Sequence, residues 1–561
     1  MACTVGMKRL VPLFLVVAFP ALAEPARATR QMVAAAHPLA AAGGLAMLRQ
    51  GGTAIDAAVA AAMVLSVVEP QASGLGGGAL VLLWEAVPGT LAHYDGISAA
   101  PAQVGASLLT PEERGTPLGM AIARSGRAAA VPGEVAALGL AQARHGRLPW
   151  AALFAPAIRA AEEGFPMPAE LHQVLKRDPA AFAAVPALRK LYFDVAGEPQ
   201  PVGAVLRNPD QAAALRAVAA GGAAALYRPP LAKLIVEAVA TAPHPGTLTA
   251  DDLAAYEAKP RVPVCGEAFG RRICTAAPPA SGGLAVLQQL ALLDRWGYGR
   301  AAPGSVAAAH MLLEASRLAA ADRRRWAGDP DMVDVPAAGL LDARYLDARA
   351  ALASPDRAMD LVTAGEPVRR HGALPPEADP LIMAGTSHLS VMDAAGNAVA
   401  MTVTNNLNFG ARVVPGGFAL NNGLSNFATD PAASNRLQPG KRPATTMAPT
   451  IVFGPDGRPE IVTGAGGGAW IIDAVAAGVA EMLAHGADPA AAVTLPRIGA
   501  QVGAGFIEAG SAAAALKPAL EAMGHVVRLA PVDTGMQALR RRASGIEGGA
   551  DPRRDGVAIG D

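Results

Sequence analysis

The sequence predicts a mixed α+β fold in which sheets are covered by helices on their outer faces. Residues 30–70 and 286–330 read as helices, with apolar residues at three- and four-residue spacing. A Gly-rich turn in VEPQASGLGGGALVLLWEA runs into an apolar strand, and residues 260–285 return to strand and turn. After residue 386 the pattern alternates as strands do, in TSHLSVMDAAGNAVAMTVTNN and then GGFALNNG. Strands in both halves of the chain, with helical blocks between them, fit sheets buried under helices.

The elements follow in chain order. Lys8 and Arg9 precede an apolar run from Leu10 to Ala23 that ends in Ala21-Leu22-Ala23. That is the layout of a secretory signal, so residues 1–23 are expected to be removed, with Ala26-Arg27-Ala28 as a second cleavage candidate. The run is short of the roughly 20 residues that span a bilayer, and no later run is long and apolar enough. Helices are expected from His37 to Gln50 and from Thr53 to Val68, separated by Gly51-Gly52. Residues 110–260 are mostly helical in pattern, with breaks at Pro132-Gly133, Gly164–Pro166 and Pro243–Gly246. The segment 326–380 is rich in Asp, Pro and Ala and reads as an exposed connecting arm. A last helix, Ala469–His485, follows TGAGGG.

Composition narrows the function classes. The 561 residues are 52% hydrophobic and 17% charged, which excludes a disordered chain. Lys+Arg and Asp+Glu are both 47. Without a net basic field the chain is expected to bind neither nucleic acid nor, once the signal is gone, a membrane. Cys3 leaves with the signal. Cys265 and Cys274 flank a turn near Phe269-Gly270, where a disulfide and two unpaired thiols are both open readings. The ten histidines are scattered, with no H-E-x-x-H and no Cys-x-x-Cys, so no metal or organic cofactor is implied.

The stretch after Gly385 is the most informative. Asp393-Ala394-Ala395-Gly396-Asn397 reads as a three-residue hairpin loop, with Gly396 at the position that favours a left-handed backbone. Pairing Asp393 with Asn397 then places Thr386 opposite Thr404, with His388 and Asn406 on the same face. A lone strand histidine such as His388 reads as a core residue before it reads as a base.

Two Gly-rich turns stand out. Gly74–Gly78 follows a helix and precedes a strand, the wrong order for a dinucleotide fingerprint. Thr463-Gly464-Ala465-Gly466-Gly467-Gly468-Ala469 has the right order, but no acidic residue ends a second strand about 20 residues on. Aiming backbone N–H groups at an oxyanion from a helix start, or making a tight turn and nothing more, remain the two readings. No G-x-S-x-G is present.

Taken together, Thr386-Ser387-His388, DAAGNAVAMTVTNN, Asn421-Asn422, Arg442-Pro443-Ala444-Thr445-Thr446-Met447, TGAGGG and GGADPRRDG resemble the gamma-glutamyltransferase family in order and spacing. AHPLAAAGGLAMLRQGGTAIDAAVA, VEPQASGLGGG and PPASGG upstream are similar too. The resemblance implies an N-terminal-nucleophile hydrolase: a four-layer αββα sandwich and a precursor that cuts itself between Gly385 and Thr386. A large subunit, 24–385, and a small one, 386–561, would remain together. Thr386 would be the nucleophile, with its freed α-amine as base. Thr404 would hydrogen-bond the nucleophile, and Asn406 would help to position substrate. Thr445 and Thr446 stand where the family usually has two serines. Gly467 and Gly468 match the oxyanion pair.

The implied activity is transfer or hydrolysis of gamma-glutamyl amides such as glutathione, in the periplasm if the host is Gram-negative. The chain departs from the family where that family reads glutamate. In Asp95-Gly96-Ile97-Ser98-Ala99-Ala100-Pro101, Ile97 replaces the arginine that binds the α-carboxylate. Asn426 stands where an aspartate holds the α-ammonium, and the stretch Phe427–Lys441 is short. Three explanations follow: another base such as Arg412 supplies the charge; the acyl group is a non-glutamyl one, as in cephalosporin acylases; or the chain is a non-catalytic binding module.

Overall fold

The computed structural model describes residues 24–561 except 111, 114, 370–373, 379–384 and 502. The expected signal segment 1–23 and parts of the arm therefore lie outside the described residues. The strands that place the site are β1 (Ala26–Ala28), β2 (Met32–Ala35), β3 (Gly78–Glu85), β4 (Thr90–Gly96), β5 (Lys259–Arg261), β6 (Val264–Ala268) and β7 (Arg271–Thr275). They continue with β8 (Thr386–Met392), β9 (Ala398–Thr404), β10 (Thr450–Phe453), β11 (Pro459–Gly466), β12 (Gly535–Arg542), β13 (Gly545–Ala550) and β14 (Val557–Gly560). Among the described residues they form two seven-stranded sheets, ordered β1-β13-β12-β11-β10-β7-β6 and β14-β2-β8-β9-β3-β4-β5.

The helices used below are α1 (Pro38–Arg49), α2 (Ala54–Val68), α3 (Glu134–His145), α4 (Ala169–Lys176), α5 (Pro179–Ala183), α6 (Ser281–Arg295), α7 (Val306–Trp326), α8 (Ala343–Ala350) and α9 (Trp470–Ala484). Strand alternation sorts the layers. Leu389, Val391, Val399 and Met401 pack outward against Ile55, Val59 and Met63 of α2. Met392, Ala398, Ala400 and Leu82 face the second sheet and meet Ile451, Phe453, Val462 and Leu539. That sheet's outer face, with Ile273, Val452 and Ile461, is covered by Leu290 of α6 and Val475 and Val479 of α9. The result is the expected αββα sandwich.

Helix α2 begins at a capping box in which the Thr53 N–H donates to Asp56 Oδ2 at 2.9 Å. All fifteen of its residues are buried. Small residues permit this: a Cβ on Gly44 of α1 would sit 3.0 Å from the Ala57 carbonyl oxygen.

The hairpin has the expected register, with Thr386 opposite Thr404 and Met392 opposite Ala398. Asp393 Oδ1 accepts the Ala395 and Asn397 N–H groups, each at 2.9 Å, and Gly396 has φ of 89°. The open question of the cysteines resolves to a disulfide, joining directly opposed Cys265 on β6 and Cys274 on β7.

The segment 326–380 departs from the free arm expected. Its polar groups find partners along α7. The Trp326 indole N–H donates to the Gly365 carbonyl at 3.1 Å, and Asp322 accepts the Gly365 N–H and the Tyr345 hydroxyl. Glu377 pairs with Arg324 and Arg325. Within the segment, α8 buries Leu346, and Ala358 and Ala364 are buried as well, while Leu361 and Val368 stay exposed. Glu377 and Arg349, charges suited to solvent, serve here as ties to a neighbouring helix. Among the described residues, no helix is long and apolar enough to cross a membrane.

Candidate active site

At one end of the sandwich the face between the sheets turns from apolar to polar. Thr386, His388 and Ser390 on β8 and Thr402 and Thr404 on β9 share it, all buried. His388 is enclosed by hydroxyls, with Nδ1 2.9 Å from Thr402 Oγ1 and Nε2 3.1 Å from Ser390 Oγ. Burial pushes its imidazole down to about 3, so it stays neutral at working pH. It is a core histidine.

The hydroxyls of Thr386 and Thr404 lie 2.9 Å apart. The Thr404 hydroxyl donates to the Gly385 carbonyl at 2.7 Å and accepts the Asn406 N–H at 2.8 Å. A hydroxyl has one proton, so the proton between the threonines belongs to Thr386. The order is Thr386 O–H to Thr404 O–H to the carbonyl of the peptide bond that Thr386 itself closes. That carbonyl belongs to a residue only glycine can be. Gly385 has φ of 149°, and a Cβ there would lie 2.6 Å from the Asn406 carbonyl oxygen.

Backbone beyond β9 is contorted. Asn406, Phe409 and Arg412 have φ of 75°, 59° and 56°, values that non-glycine residues adopt rarely. The turn around 69–77 holds this stretch: the Asn405 and Phe409 N–H groups donate to the Ala72 and Gln71 carbonyls. Asn426 donates through Nδ2 to Asn406 Oδ1 at 2.9 Å, so these two predicted residues meet.

The second Gly-rich stretch reads differently in three dimensions. Gly464 and Gly466 end strand β11 and allow the sheets to close on one another. A Cβ on Gly464 would meet the His388 ring at 2.3 Å, and one on Gly466 would meet the Thr386 carbonyl oxygen at 1.9 Å. Gly467 and Gly468, with φ of 121° and 60°, form the turn into α9. The Thr446 hydroxyl donates to the Gly468 carbonyl at 2.8 Å. The PPASGG motif braces Thr445, whose carbonyl accepts the Gly282 N–H at 3.0 Å and the Ser281 hydroxyl at 2.8 Å.

Ile97 does not present a polar group to this site. It is buried with Leu80, Ala276, Ala280 and Met447. Nearby charge is already committed: Arg442 pairs with Asp95 at 2.6 Å in full burial, and Arg261 pairs with it at 2.8 Å. Burial alone raises the Asp95 carboxyl, but the two guanidinium groups hold it below its ordinary value. Arg412, the proposed substitute for the missing arginine, is engaged at α5. It donates to the Ala181 carbonyl at 3.0 Å and lies over the Phe182 ring. No hydrogen bond or ion pair joins it to the Thr386 cluster.

Sequence reasoning missed an ionic cluster beside strand β8. Arg554 donates through Nη1 to the Thr386 carbonyl at 2.6 Å and pairs through Nη2 with Asp533 at 3.3 Å. Arg177 of α4's C-terminal end also pairs with Asp533. Ser387 donates to Glu69 Oε2 at 2.5 Å. VEPQASGLGGG carries Glu69 and GGADPRRDG carries Arg554, but neither motif says that they share a cluster.

Glu69 gives a pH prediction. Burial pushes its carboxyl up to about 7, against smaller opposing pulls from Arg554 and Ser387. The folded chain then keeps a proton that the unfolded chain releases near 4.5. The stability from this group is full below 4.5 and is lost as pH rises through about 7. Glu69→Gln, which copies the neutral acid, should flatten the fall of Tm between pH 5 and pH 8. Calorimetry at those two values checks this, and an unchanged slope would count against it.

Among the described residues, no group of His, Cys, Asp and Glu is arranged to hold a metal ion. The family model described as gamma-glutamyltranspeptidase matches residues 40–561. The glutathione hydrolase proenzyme of Bacillus subtilis (strain 168) is 33% identical over 540 residues, covering 94% of this chain and 91% of that protein. The acylase ACY 1 proenzyme of Pseudomonas sp. (strain SE83) is 34% identical over 562 residues, covering 98% and 97%. A crystal structure of cephalosporin acylase from Bacillus halodurans superposes with a TM-score of 0.82 at 27% identity, covering 99% of both chains.

Proposed function

This chain belongs to the gamma-glutamyltranspeptidase family of amidohydrolases and acyltransferases, and we propose that it is a self-cleaving threonine enzyme whose acyl donor lacks the amino-acid end of glutamate. The hydroxyl order Thr386–Thr404–Gly385 carries the first half of this reading. Thr386 Oγ1 attacks the Gly385 carbonyl carbon. Its proton passes to Thr404, whose own proton goes to the carbonyl oxygen already hydrogen-bonded to it. Collapse of the adduct breaks the C–N bond, the nitrogen takes up the proton, and an ester on Thr386 is left. Water then hydrolyses that ester to a Gly385 carboxylate and a free Thr386 with its α-amine. That amine, with a reference value near 7.7–8.0, is a base of the right strength for the same hydroxyl in turnover.

In turnover Thr386 takes an acyl group from an amide and passes it to water or an amine. Gly467 and Gly468 would receive the oxyanion, and Thr445, Thr446, Asn406 and Asn426 would line the acyl group. The two-subunit product, 24–385 with 386–561, follows from the cut. Relatives named as proenzymes support this reading. The Cys265–Cys274 bond supports export to an oxidising compartment such as the periplasm, consistent with a signal in residues 1–23.

Ile97 carries the second half. An apolar side chain sealed among Leu80, Ala276, Ala280 and Met447 offers a carboxylate no partner, and neutral Asn426 offers an ammonium no counter-charge. Leaving either unpaired in a closed site is costly. Names of relatives point both ways, to a glutathione hydrolase and to an acylase, so gamma-glutamyl amides remain the second reading.

A panel of p-nitroanilides decides between them: gamma-glutamyl, glutaryl and pentanoyl. Wild type should turn over an acyl group without the α-ammonium at least about tenfold faster than the gamma-glutamyl one, the scale of one lost charged hydrogen bond. The double variant Ile97→Arg, Asn426→Asp should move that ratio toward gamma-glutamyl. A wild type that prefers gamma-glutamyl, and loses it in the double variant, would sink this reading.

A further inference from the structure

The β11–β12 pair places Gly466 directly opposite Gly535. Two glycines facing each other at the end of an inner strand pair weaken it, so something needs the room. Arg554 fills it. A Cβ on Gly535 would lie 2.7 Å from Arg554 Cδ, and one on Gly466 would lie 3.1 Å from Arg554 Nη1. Through this slot the guanidinium reaches the Thr386 carbonyl at 2.6 Å, in a side chain that is 4% exposed.

We propose that Arg554 is a positioning residue for the nucleophile, holding Thr386 by its carbonyl and, through its charge, keeping the freed α-amine of Thr386 unprotonated at neutral pH. The inference rests on the reading of Thr386 as an N-terminal nucleophile. The carbonyl carbon that Arg554 holds is two bonds from that amine. A cation so close disfavours a second cation. The base therefore gains its neutral form without a second base beside it.

Other charged groups face the cluster from each packed element. Glu69 comes from the end of α2, Glu170 and Arg177 from α4 and its C-terminal end, and Asp533 from the loop before β12. Asp555, on the C-terminal segment, accepts the Glu170 N–H at 3.1 Å. His388 on the same strand is neutral. Asp533 touches Nη2 of Arg554, whereas Thr386 touches Nη1. The guanidinium thus bonds the nucleophile's backbone directly, whereas Asp533 sits on its other nitrogen and Glu69 on the neighbouring Ser387 hydroxyl. Burial raises Glu69 and Glu170 well above the ordinary carboxylate range, which weakens their opposition near neutral pH.

The test is the pH–rate profile of processed enzyme on an acyl p-nitroanilide, for wild type, Arg554→Lys, Arg554→Gln and Asp533→Asn. Arg554→Gln should move the acidic limb upward by about one pH unit, with a rate loss of about fivefold at pH 7 that recovers at alkaline pH. Arg554→Lys should keep the limb near the wild-type position. Asp533→Asn should move it the other way, because the guanidinium then acts unopposed. A loss equal at every pH in Arg554→Gln would show a merely structural role and overturn the proposal. If Arg554→Gln fails to fold or to cut itself, Asp533→Asn decides, and an unmoved limb there overturns the proposal. Intact mass of wild type separates the two premises. An uncut wild-type chain sinks the Thr386 reading itself, whereas a cut chain with immobile profiles sinks only the role of Arg554.

Discussion

Thr386→Ala should remain one full-length chain and show no turnover, while the wild type separates into two polypeptides at Gly385/Thr386. The expectation follows from the hydrogen-bond order in the uncut chain. The Thr386 hydroxyl supplies both the attacking oxygen and the proton that starts the relay, and alanine removes both. Among the described residues neither neighbouring hydroxyl is placed to substitute, because Thr404 donates to the carbonyl oxygen and Ser387 donates to Glu69 instead. Denaturing intact-mass spectrometry reads the result directly. Fragments of the same masses from Thr386→Ala would refute Thr386 as the nucleophile. Thr386→Ser should still cut, since it keeps the oxygen and the proton.

Thr404→Val should carry the second largest effect, slowing self-cleavage by about 10²–10³ while leaving the fold in place. Valine keeps the shape and β-branching of threonine. It loses the donor that meets the Gly385 carbonyl, where negative charge develops during attack. Removal of one such donor costs about 2.7–4 kcal/mol of barrier. The substitution also leaves the buried Asn406 N–H without its acceptor, at a stability cost of about 1–3 kcal/mol. A time course of fragment formation in freshly purified protein, with Tm measured in parallel, separates the two effects. Wild-type cleavage rates at a lowered Tm would show that Thr404 only supports the strand.

Much of this site was legible because it is local. The Asp393–Asn397 loop has a glycine where a left-handed residue belongs, and that single feature fixes which threonines oppose each other. The alternation of β8 and β9 then places their faces. Gly467 and Gly468 stand before a helix, as expected of a turn, but Gly464 and Gly466 belong to the strand and serve close approach of two sheets. Sequence shows the glycines and cannot show what lies opposite them.

Arg554 and Glu69 were illegible for the same reason, since they meet residues 168 and 318 positions away. Arg412 was misjudged because a lone arginine carries no sign of which carbonyl or ring will engage it. The segment 326–380 looked solvated by composition. Arg349 and Glu377 turn out to be matched to charges on α7, and Asp329 and Asp331 to Arg261, a complementarity visible only once these pieces are folded.

The sheet order has a consequence of its own once the 385/386 bond is broken. In one sheet β8 and β9 lie between β2 and β3, and in the other β10 to β13 lie between β1 and β7. Each sheet thus alternates between pieces on the two sides of the cut. Neither polypeptide keeps a complete sheet alone, so parting them means unzipping both layers at once. Cleavage would convert a unimolecular unfolding equilibrium into a dissociation, whose midpoint depends on protein concentration. A molecule cut there would be in effect an obligate heterodimer assembled as a single chain.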